Sequence, residues 1–202
     1  MFPGARITWY DDFECAQLNY GWGIGNTNPT LTAVVSGSVV TVHADEVKDV
    51  FDGLSRTNQN TGDNSGILML FRIQEGTSAN LFINTGMWET SDYRRWGLDI
   101  GNTSFQKTLW EGWDGQGWKW LSENFPTKLL QPGKWYYLFI RLGDAGQVTM
   151  KVWDKDDPSR HADFQRNMGS TWAKRKWVSM FQVYKGTLEI DEYQEMIFEA
   201  GN

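Results

Sequence analysis

GKWYYLFIRLGDAGQVTMKVWDKDDPSR, from Gly133 to Arg160, holds two runs of aromatic, aliphatic and β-branched residues, Trp135–Leu142 and Val148–Trp153. Each run has the length and composition of a strand. Between them lies GDAG (143–146), whose glycines accept the positive φ of a hairpin turn. Pro158 closes any strand before it, because it brings no N–H to a ladder. Runs of the same kind recur at Val39–His43, Ile67–Gln74, Asn80–Asn84, Trp96–Ile100, Trp177–Tyr184 and Leu188–Phe198. YKG (184–186) reads as a hairpin turn between the last two, and Ala162–Arg166 as a short edge strand. Helical periodicity is nearly absent. About ten or more short strands separated by turns predict an all-β fold, a two-sheet antiparallel β-sandwich. Asn19–Thr32 and Val50–Ser65 read as turn-rich loops, the second too polar around TNQNTGDNSG (57–66) to enter the core. Nothing divides the chain, so residues 1–202 are expected to form one domain.

Composition narrows the function classes. A net charge of −6 argues against nucleic acid, which is met by a basic face. No run of about 18 apolar residues exists, so no helical membrane insertion is expected. The opening MFPGARITWY lacks the pattern of a signal peptide, which fits either a cytosolic protein or, the preferred expectation, a domain of a larger secreted multidomain protein, extracellular or at a cell surface. The single Cys15 excludes an internal disulfide framework and a multi-cysteine zinc site, and is expected to be a small buried residue. His43 and His161 have no partner at catalytic or zinc-ligand spacing, and GWGIGN (21–26) follows no βαβ pattern that would cradle a phosphate.

The aromatics carry the functional signal. LWEGWDGQGWKW (109–120) places four tryptophans in twelve residues, interrupted by glycines and acids. A hairpin of Leu109–Trp113 and Trp118–Leu121 over 114–117 would put Trp118 and Trp120 on one face. Just before it, MWETSDYRRWG (87–97) adds more rings and two arginines. Pyranose rings offer C–H faces that stack on aromatic planes and hydroxyls that seek polar neighbours. The expected carbohydrate-binding residues are therefore Trp88, Tyr93, Trp96, Trp110, Trp113, Trp118 and Trp120, with a polysaccharide or glycan as partner. The competing expectation is that these rings cap the core. Trp9, Trp22, Trp135, Trp153 and Trp177 read as core, because they sit within strand patterns or at strand entries.

Several segments resemble the concanavalin A-like jelly-roll superfamily, including its laminin-G-like domains. They are DDFE (11–14) followed by Gly21 and Trp22, GKWYYLFIRL (133–142), MKVWDKDDPSR (150–160) and GTLEIDEYQEM (186–196). The resemblance implies a concanavalin A-like jelly roll of carbohydrate-binding-module type, without covalent chemistry. It also implies a structural calcium ion held by Asp12, Glu14 and Asp191, tying the first strand to the closing one. Asp154, Asp156 and Asp157 are a second oxygen-ligand candidate.

EIDEYQE (189–195) also resembles the two-glutamate signature of jelly-roll β-glucanases. Glu189 and Glu195 would lie roughly 20 Å apart along a strand, whereas hydrolysis needs carboxylates within about 9.5 Å. Glu192 would face away from Glu189 in a regular strand. The strand is expected to bury Leu188, Ile190 and, after a bulge, Met196 and Phe198, leaving Glu189, Asp191, Tyr193 and Glu195 on the other face. The alternative function is a glycoside hydrolase using Glu189 and Asp191 with Asp99 or Glu111. A third class is a laminin-G-like protein-recognition module or a virion attachment domain.

Overall fold

The computed structural model describes residues 2–25, 30–45, 53–61, 64–85, 94–100, 109–113, 118–121, 129–143, 146–167 and 176–199. Among them every element of seven or more residues is a strand, and no helix is long and apolar enough to cross a membrane.

The hairpin that decides the fold forms as the sequence predicts. β11 (Trp135–Leu142) pairs antiparallel with β12 (Gln147–Asp154), from Tyr136 opposite Asp154 to Leu142 opposite Val148. β13 (His161–Asn167) adds to β12 as an edge strand. On the other side β11 pairs with β6 (Ser65–Ile73), and β6 with the C-terminal part of β14 (Lys176–Phe198). Beyond β14 lie β4 (Val39–Ala44) with its neighbour β3 (Thr32–Ser36) and, further along, β1 (Ala5–Asp11). These strands make the first sheet.

The second sheet runs β2 (Trp22–Ile24), β5 (Leu54–Thr61), the N-terminal part of β14, β7 (Ser78–Thr85) and β8 (Arg94–Ile100). A separate ladder joins β9 (Leu109–Trp113) to β10 (Trp118–Leu121), and β9 lies against β8.

The expected turn at YKG is replaced by a bend inside one strand. β14 pairs with β7 and β5 up to Lys185 and with β4 and β6 from Gly186 onward, so one strand serves both sheets. Gly186 sits at this corner with φ of 89°, and a Cβ there would come within 2.7 Å of Thr77 Oγ1. Only glycine combines that backbone with that approach.

The core lies between the sheets. Ile67, Met69, Phe71, Leu138, Ile140 and Ile190 from the first meet Leu54, Leu81, Ile83, Leu98 and Phe181 from the second. Trp177 is fully buried, and its Nε1 donates to Ser65 Oγ at 3.0 Å. Of the five tryptophans expected inside, Trp177 is core, while Trp9 and Trp22 pack half-buried against it. Trp135 and Trp153 instead face outward from the first sheet, in contact with Arg72 and Tyr137. Cys15, expected to be buried, is exposed.

Val50–Ser65 is not simply a loop. It contains β5, whose inward positions carry Leu54, Arg56 and Asn58, all buried. Polar side chains can occupy a core only when paired. Arg56 Nε donates to Glu195 Oε1 at 2.7 Å, and the guanidinium lies 3.3 Å from the centroid of Trp9. Asn58 Oδ1 accepts from the Tyr193 hydroxyl at 2.8 Å, and Asn58 Nδ2 donates to Ser179 Oγ at 3.1 Å. Burial, followed by the Glu195 charge, pushes the Tyr193 phenol far above its ordinary pKa, so it stays a donor.

Candidate functional site

Alternation along the second sheet fixes its outward-facing residues. With Leu81, Ile83, Leu98, Phe181 and Val183 in the core, Asn80, Phe82, Asn84, Asp99, Met180, Gln182, Ser55 and Thr57 occupy the other face. The ladder aligns them in rows across the strands. One row runs Gln182–Asn80–Asp99, the next Ser55–Met180–Phe82–Gly97, and the next Thr57–Val178–Asn84.

The first row is a chain of amide and phenol groups. Asn80 Nδ2 donates to the Tyr184 hydroxyl at 2.5 Å, which donates to Gln182 Oε1 at 3.2 Å. In the third row Asn84 Oδ1 is a buried acceptor with no hydrogen-bond partner among the described residues. Gly97 packs directly against Phe82, and any Cβ there would strike the Leu81 carbonyl and Phe82 itself.

β8 closes this sheet on one side, and the β9–β10 hairpin stands next to it. Its strands coincide with the expected limits. Trp113 pairs with Trp118, Glu111 with Lys119 and Trp110 with Trp120, with an irregularity between Trp118 and Lys119. Paired positions in an antiparallel ladder lie on one side, as do positions two apart in a strand. Trp118 and Trp120 lie two apart in β10, each opposite a tryptophan of β9, and the register shift leaves Gly112 as the extra residue. Trp96 occupies β8 opposite Ile83. Trp88 and Tyr93, the other two expected binding residues, lie outside the described residues.

No family model matches the sequence, and no curated protein matches it in sequence. Solved structures do match the fold. The CBM2 module of the evolved Dit protein from Lactobacillus casei BL23 phage J-1 superposes with a TM-score of 0.70, at 11% identity over 98% of both chains. A structure from work on endo-acting O-glycanases of the human gut microbiota, which initiate mucin breakdown, gives 0.69 at 9% identity, covering 96% of this chain and all (100%) of that one. A laminarinase from Flavobacterium sp. UMI-01 gives 0.66 at 8% identity over 96% and 100%. The fold is a concanavalin A-like jelly roll. At such identities the likeness extends to architecture alone.

The jelly roll's closing strand departs from its sequence-based reading in one respect. The bulge falls between Ile190 and Glu192, at Asp191. Tyr193 and Glu195 therefore point into the core, whereas Met196 and Phe198 join Phe139 in a small cluster outside it. The same bulge brings Glu192 onto the outer side with Glu189, opposite Leu70 and Arg72 respectively. Both oxygens of Glu189 are held by Arg72 at 2.7 Å, and Gln74 Nε2 adds a third bond at 2.5 Å. The Arg72 hydrogen bonds lower the Glu189 pKa, while burial, then Asp191, raises that of Glu192. Asp99 lies on the far side of the sandwich, so the expected convergence of Glu189 with Asp99 does not form.

Beside Glu192 is a groove of about 510 Å³ between Phe2, Ile7, Tyr137, Trp153 and Met196. Tyr137 and Trp153 stack at 5.2 Å between centroids.

Asp12, Glu14 and Asp191 all lie close enough to Tyr10 to raise its phenol, after burial and Glu192. Among the described residues, however, no three His, Cys, Asp or Glu side chains are placed to hold a metal ion, and this geometry lends calcium no support. The neighbouring Asp11 is the structured carboxylate, accepting from Phe13 N–H, Asn19 Nδ2 and Trp22 Nε1 at 2.8–2.9 Å. Asp154 likewise organises its own turn, accepting the N–H groups of Asp156 and Asp157.

Proposed function

We propose that this jelly roll binds a polysaccharide without cleaving it, across the outer face of the second sheet and the tryptophan hairpin beside it. The observation that supports this reading is the register of β9 and β10, which pairs Trp113 with Trp118 and Trp110 with Trp120. Trp88, Tyr93 and Trp96 are proposed to extend that platform. The amides of Asn80, Asn84 and Gln182 would meet the hydroxyls. Stacked rings supply affinity, and directional amides supply orientation, the division of labour typical of ligand sites. Its setting is proposed to be extracellular, within a larger secreted protein.

Native gels containing laminarin, xylan or mucin glycans test this. The wild type should be retarded by at least one, and Trp110→Ala or Trp118→Ala should run freely while keeping the wild-type melting midpoint. Free migration of the wild type through all three would remove the reading.

The hydrolase reading has its own supporting observation. Glu189 and Glu192 sit at neighbouring outward positions, about 7 Å apart along the strand, with pKa values moved in opposite directions as an acid–base pair requires. Against it, Arg72 and Gln74 occupy the Glu189 oxygens. Release of reducing sugar that disappears in Glu192→Gln would establish it.

A further inference from the structure

Tyr20 is the most exposed large hydrophobic residue among those described, at 99%, and it sits on a loop whose backbone is well fastened. Arg56, buried in the core against Glu195, sends Nη1 to the Tyr20 carbonyl at 3.3 Å. Gly21 has φ of 100° and rests against the same guanidinium, where a Cβ would collide with Nη1. On either side, Asn19 and Trp22 donate to Asp11. A buried ion pair and a buried carboxylate thus fix the loop from beneath, while the Tyr20 side chain stands out in solvent.

A singly exposed aromatic needs no explanation. This one has a second feature, a cleft of about 640 Å³ beside it, lined by Tyr20, Trp22, Gly23, Ser55, Thr57 and Asn58. Ser55 and Thr57 belong to the outer face of the second sheet, so the cleft continues the rows that carry Met180, Phe82 and Asn84.

We propose that Tyr20 and this cleft form the far subsite of a glycan track that crosses the second sheet, so that the protein binds internal stretches of a chain. The inference rests on the glycan-binding reading and adds its direction and length. From β2 to β8 the sheet is five strands wide, or about 19 Å at the usual interstrand spacing. A ligand touching both Tyr20 and the hairpin must therefore contain several pyranose units. A rigid aromatic costs little ordering on binding, which suits it to a subsite.

The experiment measures affinity for whichever of laminarin, xylan or mucin glycan retains the wild type, and for oligosaccharides of graded length made from it. Tyr20→Ala should weaken binding of the polymer and longer oligosaccharides about five- to tenfold, the worth of one stacked ring. It should leave the shortest ligands and the melting midpoint unchanged, and Tyr20→Phe should bind like the wild type. Unchanged affinity at every length in Tyr20→Ala, with loss in Trp110→Ala, would overturn the subsite and leave the glycan reading standing. An equal loss at every length would overturn the track. A wild type that binds none of the three polymers would end both.

Discussion

Replacing Arg56 by methionine takes from the Glu195 carboxylate, which has no exposed surface, the guanidinium held at 2.7 Å. The same change removes the cation over Trp9 and the donor to the Tyr20 carbonyl. Breaking one side of a buried pair costs about 3–5 kcal/mol, because the remaining charge keeps its desolvation penalty without its partner. For a domain of this size each kcal/mol lowers the midpoint by about 2–4 °C, so Arg56→Met should melt about 6–20 °C below the wild type. Replacing both partners, Arg56→Met with Glu195→Leu, removes the buried charge as well and should regain most of that loss. Thermal melts followed by near-UV circular dichroism report both variants, since Trp9 and Tyr193 lie beside the pair. A single variant that melts within a degree or two of the wild type would refute the reasoning. So would a double variant as unstable as the single one.

Three further outcomes are expected. Glu192 binds its proton more tightly when folded, so its contribution to stability is present below the ordinary carboxylate range and is lost as pH rises through its raised pKa. Glu192→Gln should therefore be the more stable protein at neutral pH and equal the wild type in acid. Glu189 has the opposite sign, with a lowered pKa, so Glu189→Gln should destabilise at neutral pH, the difference closing as pH falls through that value. Denaturant titrations across pH check the two together. Gly186→Ala, with φ of 89° and Thr77 Cα 2.8 Å from the new Cβ, should cost roughly 1–3 kcal/mol. Chelator decides the calcium question: a drop of several degrees in the melting midpoint would support an ion at Asp12, Glu14 and Asp191, and an unchanged midpoint would argue against it.

The parts of the fold legible in the sequence are those in which hydrophobicity alone sets the pattern. Trp135–Leu142 and the Trp-rich hairpin emerge with the predicted limits because both alternate or run apolar up to a glycine turn. β5 escapes such reading because its inward positions hold Arg56 and Asn58, and their partners Glu195, Ser179 and Tyr193 lie more than a hundred residues away. The glycine of YKG does signal a positive φ, but local sequence cannot tell a turn from a strand passing between sheets. Likewise, one extra residue at Asp191 reverses the parity of everything after it, which is why Tyr193 and Glu195 exchange places with Met196 and Phe198. The tryptophans of the proposed site stand out in the sequence. Its amide row does not, because Asn80 and Gln182 become neighbours only through the pairing of β7 with β14.

Affinity electrophoresis of the wild type against Trp110→Ala and Trp118→Ala, in gels of laminarin, xylan and mucin glycans, tests the central claim most directly. The account predicts retardation of the wild type by at least one polymer and its loss in both variants at unchanged thermal stability. Equal retardation of all three proteins would contradict it.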